Sequence, residues 1–309
     1  MSSKPVLDIN RLMTLRALAH SGTMAAAAET LHLTPSAISQ QLSLLERETG
    51  MALTERRGRG VVLTPAGNML VAHTERIMHV LEEAESQLAL LRNEVSGEIR
   101  VAAFSSVAVS LLPNTIRALQ TAHPRLQVVI EEKEPQESLT ALDARQIDIA
   151  VIDDLAVALE DASEHYHLRP LAVDALHVLL PAHHALAGRS TLALSDLRNE
   201  QWAQDSTSSS FGHFITTLCR RAGFTPYINA HCTGFEMVAA MVASGSSISV
   251  VSGLRLADSL PGVVAVRLAP EVRRSILLAH RKGAQHNPAI QAFAQEAIRH
   301  MPARYATQN

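Results

Sequence analysis

The sequence predicts an α + α/β protein: a small helical head, one long helix, and a larger two-lobed α/β body. Three observations predict it. Two apolar-patterned helical stretches flank a short polar break between Ser21 and Glu46. A proline-free stretch from Ala66 to about Asn93 carries apolar residues at heptad spacing. From Gly97 onward, strand-like and helix-like segments alternate, the pattern of a sheet covered by helices. At 309 residues the chain can bury more than one core.

The head begins with a helix over Asn10 to His20, with Leu12, Leu15, Leu18 and Ala19 on one face, closed by Ser21-Gly22. A second helix carries Ala25 to Ala28 and Leu31. After the break at His32 to Pro35, a third opens at Thr34-Pro35, a hydroxyl cap followed by proline where its missing N–H costs nothing. Ala37, Ile38, Leu42 and Leu45 form its buried stripe, and Thr49-Gly50 ends it. The opposite face presents Ser36, Ser39, Gln40 and Ser43. Short neutral hydrogen-bonding groups on a second helix suit the base edges of a major groove. An ordinary helical hairpin with a solvated face is the plainer alternative.

Next comes a small β-hairpin: Leu53 to Arg56, a turn Arg57-Gly58-Arg59-Gly60, and Val61 to Leu63. Arg56, Arg57 and Arg59 cluster at its tip, where arginine suits a phosphate backbone or a narrow minor groove. Thr64-Pro65 then caps the long helix. Thr74, Leu81 and Leu88 share one heptad position, and Leu70, Ile77, Ala84 and Leu91 the other. Polar flanks (Glu75, Arg76, Glu82, Glu83, Glu85, Gln87) leave a narrow seam of the two-stranded coiled-coil kind, hence a dimer. The dimer seam is Leu70, Ile77, Leu81, Leu88 and Leu91.

The stretch ALAHSGTMAAAAETLHLTPSAISQQLSLLERETGMALTERRGRGVVLTPAG resembles the winged helix-turn-helix of LysR-type transcriptional regulators. Ala28, Leu31, Ser36, Ala37, Ser39, Leu45, Glu46, Gly50, Leu53, Arg56, Leu63, Thr64 and Gly67 carry the likeness. Thr54 departs from it, standing where the family usually has an aromatic residue. LLPNTIRALQTAHPRLQVVI, RQIDIAVI and GFEMVAAMVASG followed by ISVV extend the resemblance, more loosely, into the body. Val251-Ser252-Gly253 departs again, where the family's strand usually runs into a proline. The resemblance implies a two-lobed effector-binding domain of periplasmic-binding-protein type. It also implies residues 1–65 as the DNA-binding domain, 66–94 as a dimerising linker helix and 95–309 as the effector domain. Lobe I then covers about 97–170 and 265–309, and lobe II about 171–264.

Within the body, Glu98 to Phe104, Leu126 to Glu131 and Ile147 to Ile152 read as strands separated by helices, a βαβαβ unit and thus a parallel sheet. A second such unit starts near Val173, with strands at Ala175 to Leu180, Gln201 to Gln204, Tyr227 to Cys232 and Ile248 to Val251. Ligands of open α/β sheets sit at the carboxyl ends of strands. Ser105 and Ser106 follow the first strand; Ser206, Ser208 and Ser209 follow another and open a helix; Thr233 follows a third. Hydroxyls at helix starts suit a small carboxylate-bearing effector. The plainer reading makes them N-caps only.

Composition sets the bounds. The chain is 47% apolar and 18% charged, with net charge −3. Seven Lys/Arg stand against five Asp/Glu in residues 1–64, so this end is +2 and the remainder about −5. Two cysteines fit a reducing cytosol, the start lacks a signal-peptide pattern, and no apolar run is long enough to span a membrane. A cytoplasmic protein is expected. No GxSxG, P-loop, HExxH or CxxC is present, so neither an enzyme, a metal site nor a cofactor is expected. Adjacent His183 and His184 fall in a turn and face apart.

The peroxide-sensing branch of the family uses a reactive cysteine near the position of Ser210, paired with one near Cys219; here the first is serine. The resemblance thus implies a dimeric or tetrameric regulator binding double-stranded promoter DNA at an inverted repeat. A small-molecule effector controls it, RNA polymerase is a partner, and no membrane is involved. The competing readings are a solute-binding or enzymatic α/β module with a helical dimerisation head, and a nucleoid organiser with little specificity.

Overall fold

The computed structural model describes residues 7–57, 60–91, 95–205, 209–256, 260–302 and 305. Contacts divide the chain into two units. One holds residues 1–94 with 140–146 and 281–288; the other holds the rest.

In the first unit, α1 (Ile9–Ser21) is capped by Asp8, whose carboxylate accepts from the N–H groups of Asn10 and Arg11, and is ended by left-handed Gly22. α2 (Met24–Thr30) and α3 (Pro35–Thr49) follow, each capped by a threonine hydroxyl, Thr23 and Thr34. Leu12, Leu15, Leu18, Ala27, Ala28, Ile38, Leu42, Leu45 and Leu53 form one buried core. The alanines let α2 sit close to its neighbours. β1 (Thr54–Arg57) pairs antiparallel with β2 (Gly60–Leu63), and α4 (Pro65–Leu91) begins directly after.

α4 buries Gly67, Thr74, Met78, Glu82 and Ser86, a different stripe from the expected seam. Leu70 packs against the head core and is committed there. Ile77, Leu81, Leu88 and Leu91 stay 44%, 45%, 59% and 82% exposed, so these four remain open. Glu82, expected on a solvated flank, is buried instead. It pairs with Arg281 and lies 3.7 Å from Arg145, while the Ser86 hydroxyl donates to the Gly283 carbonyl at 3.2 Å. Burial pushes the Arg145 guanidinium below its ordinary pKa, with Glu82 opposing. These partners come from residues 140–146 and 281–288, far away in sequence, which is why the polar flank misled.

The second unit runs β3 (Gly97–Ala103), α5 (Ser105–Ser110), α6 (Leu112–Ala122), β4 (Leu126–Glu132), α7 (Pro135–Asp143), β5 (Ile149–Asp153), α8 (Leu159–His165) and β6 (Tyr166–Pro181). Then come β7 (Thr191–Leu192), β8 (Gln201–Asp205), α9 (Ser210–Arg221), β9 (Tyr227–Cys232) and α10 (Phe235–Ala243). β10 (Ser249–Ser252), β11 (Val263–Leu268), β12 (Arg273–Arg281) and α11 (Pro288–His300) complete it; the ends of α7 and β12 belong to the first unit.

The order β4–β3–β5 is parallel, as the βαβαβ pattern predicts, and β12 joins β5 antiparallel with Ile276 opposite Asp153. The second half departs from expectation. β6 spans 16 residues, neighbours β12 in the sheet, and pairs antiparallel with both β10 and β11. β8 and β9 form a parallel pair, with Trp202 bridged in parallel to Ile248, and the two-residue β7 lies parallel to β11. Strands buried on both faces read as continuous apolar runs, which carry no signal of direction. Asp174, in the middle of β6, and Arg274, at the start of β12, meet beside the groove between the lobes.

Candidate nucleic-acid interface and ligand cavity

The expected reading face is open. Ser36, Ser39, Gln40 and Ser43 are all exposed on α3, opposite buried Ile38, Leu42 and Leu45. The Thr34 hydroxyl accepts from the Ala37 N–H at 3.2 Å and shares a 2.9 Å hydrogen bond with Ser36, which fixes the first turn. Arg56 and Arg57 are exposed on β1, opposite Val61 and Gly60; Arg59 lies outside the described residues. Thr54, the departure in the hairpin, has a clear role. Its N–H and hydroxyl both donate to the Glu46 carboxylate, at 3.1 and 3.2 Å, and the Leu53 N–H donates to the same oxygen at 2.9 Å. A charge-assisted tie to α3 replaces aromatic packing at the root of the hairpin.

Between the lobes lies a cavity of about 770 Å³, including its open mouth. Ser105, Ser106 and Ser209 line it as expected. Ser206 and Ser208 lie outside the described residues. Thr233 is exposed just past the end of β9 and is not in the wall, a correction to the expected set. Following a strand is not enough to place a hydroxyl in the groove. The hydroxyls that do line it are already engaged: Arg255 donates to Ser105, Arg274 donates to Ser106 at 2.7 Å, and Ser209 caps α9 by accepting from the Gly212 N–H at 3.1 Å. The first turn of α9 also holds a carboxylate from within the chain. Glu134 accepts from the N–H and hydroxyl of Ser210 at 3.1 and 2.9 Å. That takes the place an effector carboxylate was expected to occupy.

Sequence reasoning missed the centre of this cavity. Arg274, only 2% exposed, donates from Nε to Asp174 at 3.0 Å and from Nη1 to Asp153 at 3.1 Å. Its Nη2 reaches Ser106 at 2.7 Å and Ser252 at 2.9 Å. The guanidinium also sits over the rings of Phe104 and Phe211, at 4.9 and 5.5 Å. One side chain on β12 thus ties β5 and α5 of one lobe, β6 of the crossing, and β10 of the other. Burial raises the Asp153 pKa above its ordinary value, with Arg274 pulling the other way. A period-2 signal was available: Arg274 shares strand parity with Ile276 and Leu278, while Arg273 faces solvent.

Cys219 is fully buried among α9 and its strands, and desolvation pushes its thiol up to about 11. It is a protonated small hydrophobe at neutral pH, not a poised thiolate. Among the described residues no helix is long and apolar enough to cross a membrane.

Comparisons with known proteins cover both halves of the chain. Residues 9–68 match the family described as bacterial regulatory helix-turn-helix protein, lysR family, and residues 92–302 match the LysR substrate binding domain. The DNA-binding transcriptional dual regulator OxyR of Escherichia coli K12 is 27% identical over 296 residues, 95% of each chain. The transcriptional dual regulator GltC of Bacillus subtilis is 25% identical over 265 residues, covering 85% of this chain and 87% of that one. Among solved structures, a cysteine-to-aspartate variant of full-length OxyR from Pseudomonas aeruginosa shares the fold with a TM-score of 0.70 at 23% identity, covering 99% of both chains. CbnR in complex with its target DNA is similar at a TM-score of 0.53 and 24% identity, covering 94% of this chain and 99% of that one. With both halves matched in order along its length, this chain belongs to the LysR-type transcriptional regulators, DNA-binding proteins with an effector-binding domain.

Proposed function

We propose that the head, residues 1–65, reads a promoter through Ser36, Ser39, Gln40 and Ser43, while Thr34, Arg56, Arg57 and Arg59 hold the DNA backbone or minor groove. The single observation that carries this is the exposed hydrogen-bonding face of α3, together with Arg56 and Arg57 exposed on β1 of the hairpin that Glu46 ties to α3. The linker helix, residues 66–94, pairs two copies through Ile77, Leu81, Leu88 and Leu91, whose exposure in a single chain leaves an apolar stripe without a partner. A twofold pair predicts an inverted-repeat site, and a tetramer would span two. Residues 95–309 sense a small molecule in the interlobe cavity through Ser105, Ser106 and Ser209, with Ser206 and Ser208 beside them in sequence. The protein acts in the cytoplasm, touching RNA polymerase at the promoter, and its role is regulatory rather than enzymatic.

Genome-wide mapping of bound DNA with footprinting at the strongest sites tests this reading. A discrete inverted repeat beside an operon is expected; protection of nothing discrete would leave the body to be tested as a binding protein alone. On that site, Gln40→Ala should cost about 1–3 kcal/mol and relax base preference, while Arg56→Ala with Arg57→Ala should weaken all sequences alike and flatten the salt slope. Equal effects of both changes on every sequence would sink the division of roles. Leu81→Asp with Leu88→Asp should yield monomers in sedimentation and lower affinity for the paired site by roughly a hundredfold, since the second head no longer binds intramolecularly. A dimer that survives both changes would place the interface elsewhere.

A further inference from the structure

We infer that the cavity takes an uncharged, planar aromatic molecule rather than a carboxylate; this rests on the reading that the interlobe cavity is the sensing site. The chain is poor in aromatic residues, with six Phe, three Tyr and one Trp, yet four of these ten line this cavity: Phe104, Trp202, Phe211 and Phe235. Beside them, Ile215 and Ile228 from α9 and β9 extend the apolar wall into lobe II. A wall of flat rings and branched aliphatic groups favours a flat apolar body over a flexible polar one.

The charges point the same way. The wall carries two guanidinium groups, Arg255 and Arg274, and both are engaged by the protein. Arg255 lies over the Phe235 ring at 5.1 Å and donates to Ser105. Arg274 directs Nε, Nη1 and Nη2 at two aspartates and two serines. Against these two cations stand three carboxylates: Glu134 in the wall, and Asp153 and Asp174 behind Arg274. A ligand carboxylate would enter a site whose charge already leans negative and whose strongest donors are taken, so it would lose its hydration without gaining a counterion. An uncharged ring escapes that cost. It needs no counterion and takes no donor away from Arg255 or Arg274.

Trp202 is the sole tryptophan, so its emission reports occupancy of this cavity. The full-length protein is titrated with benzamide, benzoate and succinate, following Trp202 emission and calorimetric heat together. Benzamide should bind at least roughly tenfold more tightly than benzoate, with succinate silent, because burying an uncompensated charge is costly. Phe211→Leu, which removes a ring while keeping an apolar side chain, should weaken benzamide by about tenfold. Tighter binding of benzoate or succinate, with Trp202 responding, overturns the ligand class and leaves the cavity as the sensing site. No response of Trp202 to any of the three overturns both.

Discussion

Arg274→Met should destabilise the second unit by about 3–5 kcal/mol at neutral pH, a large part of the net stability of an ordinary domain. The substitution keeps a long side chain beside Phe104 and Phe211 but leaves Asp153 and Asp174 as buried carboxylates without a counterion. Trp202 lies in the same unit, so urea unfolding followed by its emission reads the affected part directly. The loss should shrink on acidification, and the sign follows from Asp153. Its folded pKa is raised, so its contribution to stability is fully present below its unfolded pKa and is lost as pH rises through the folded value. Without Arg274 that pKa rises further, so the ionised form is penalised most at neutral pH and relieved when protonated. Adding Asp153→Asn and Asp174→Asn to Arg274→Met should recover part of the loss, because the orphaned charges are gone. A flat pH dependence of the loss would show that Arg274 acts by packing alone.

Arg274 also shows where sequence reasoning stops. The helices of the head carry their own signals: Asp8, Thr23 and Thr34 cap, Gly22 and Gly50 close, and Ile38, Leu42 and Leu45 repeat at helical spacing. Each signal lies within a few residues of its effect, so the exposed face of α3 was legible. The body differs. Asp153, Asp174, Ser252 and Arg274 converge from four strands with up to 121 residues between partners, and beyond the strand parity of Arg274 no local signal announces that they meet. Direction failed for the same reason: β6 is buried along most of its far half, and an apolar run does not say whether β10 approaches it parallel or antiparallel. On α4 the heptad located the open stripe but missed Glu82, whose burial depends on Arg281, nearly two hundred positions away. The four cavity aromatics were likewise scattered, at 104, 202, 211 and 235, and only the fold gathers them.

Gly67→Ala should damage the head as strongly as any single methyl group can. A Cβ at Gly67 would overlap the Leu53 carbonyl oxygen and stand 3.3 Å from the Leu63 Cβ. Those atoms are backbone and strand root, so nothing flexible can swing aside. The region is a junction. The Thr64 N–H donates to the Leu53 carbonyl at 3.0 Å, its hydroxyl donates to the Ala52 carbonyl at 2.8 Å, and the Gly67 N–H donates to that same hydroxyl at 3.1 Å. The first turn of α4 is thus fastened to both ends of the hairpin, and Glu46 fastens the hairpin to α3. Relieving the clash requires α4 to lift off, which breaks these bonds and shifts the hairpin that carries Arg56 and Arg57. Overpacking of this kind costs about 3 kcal/mol. Thermal unfolding of the first unit should fall accordingly, and DNA affinity should drop for every sequence at once. Ligand titration through Trp202, in the other unit, should be unchanged. If Gly67→Ala kept full affinity for DNA, the hairpin arginines would have to reach the backbone without the scaffold that α4 and Glu46 provide.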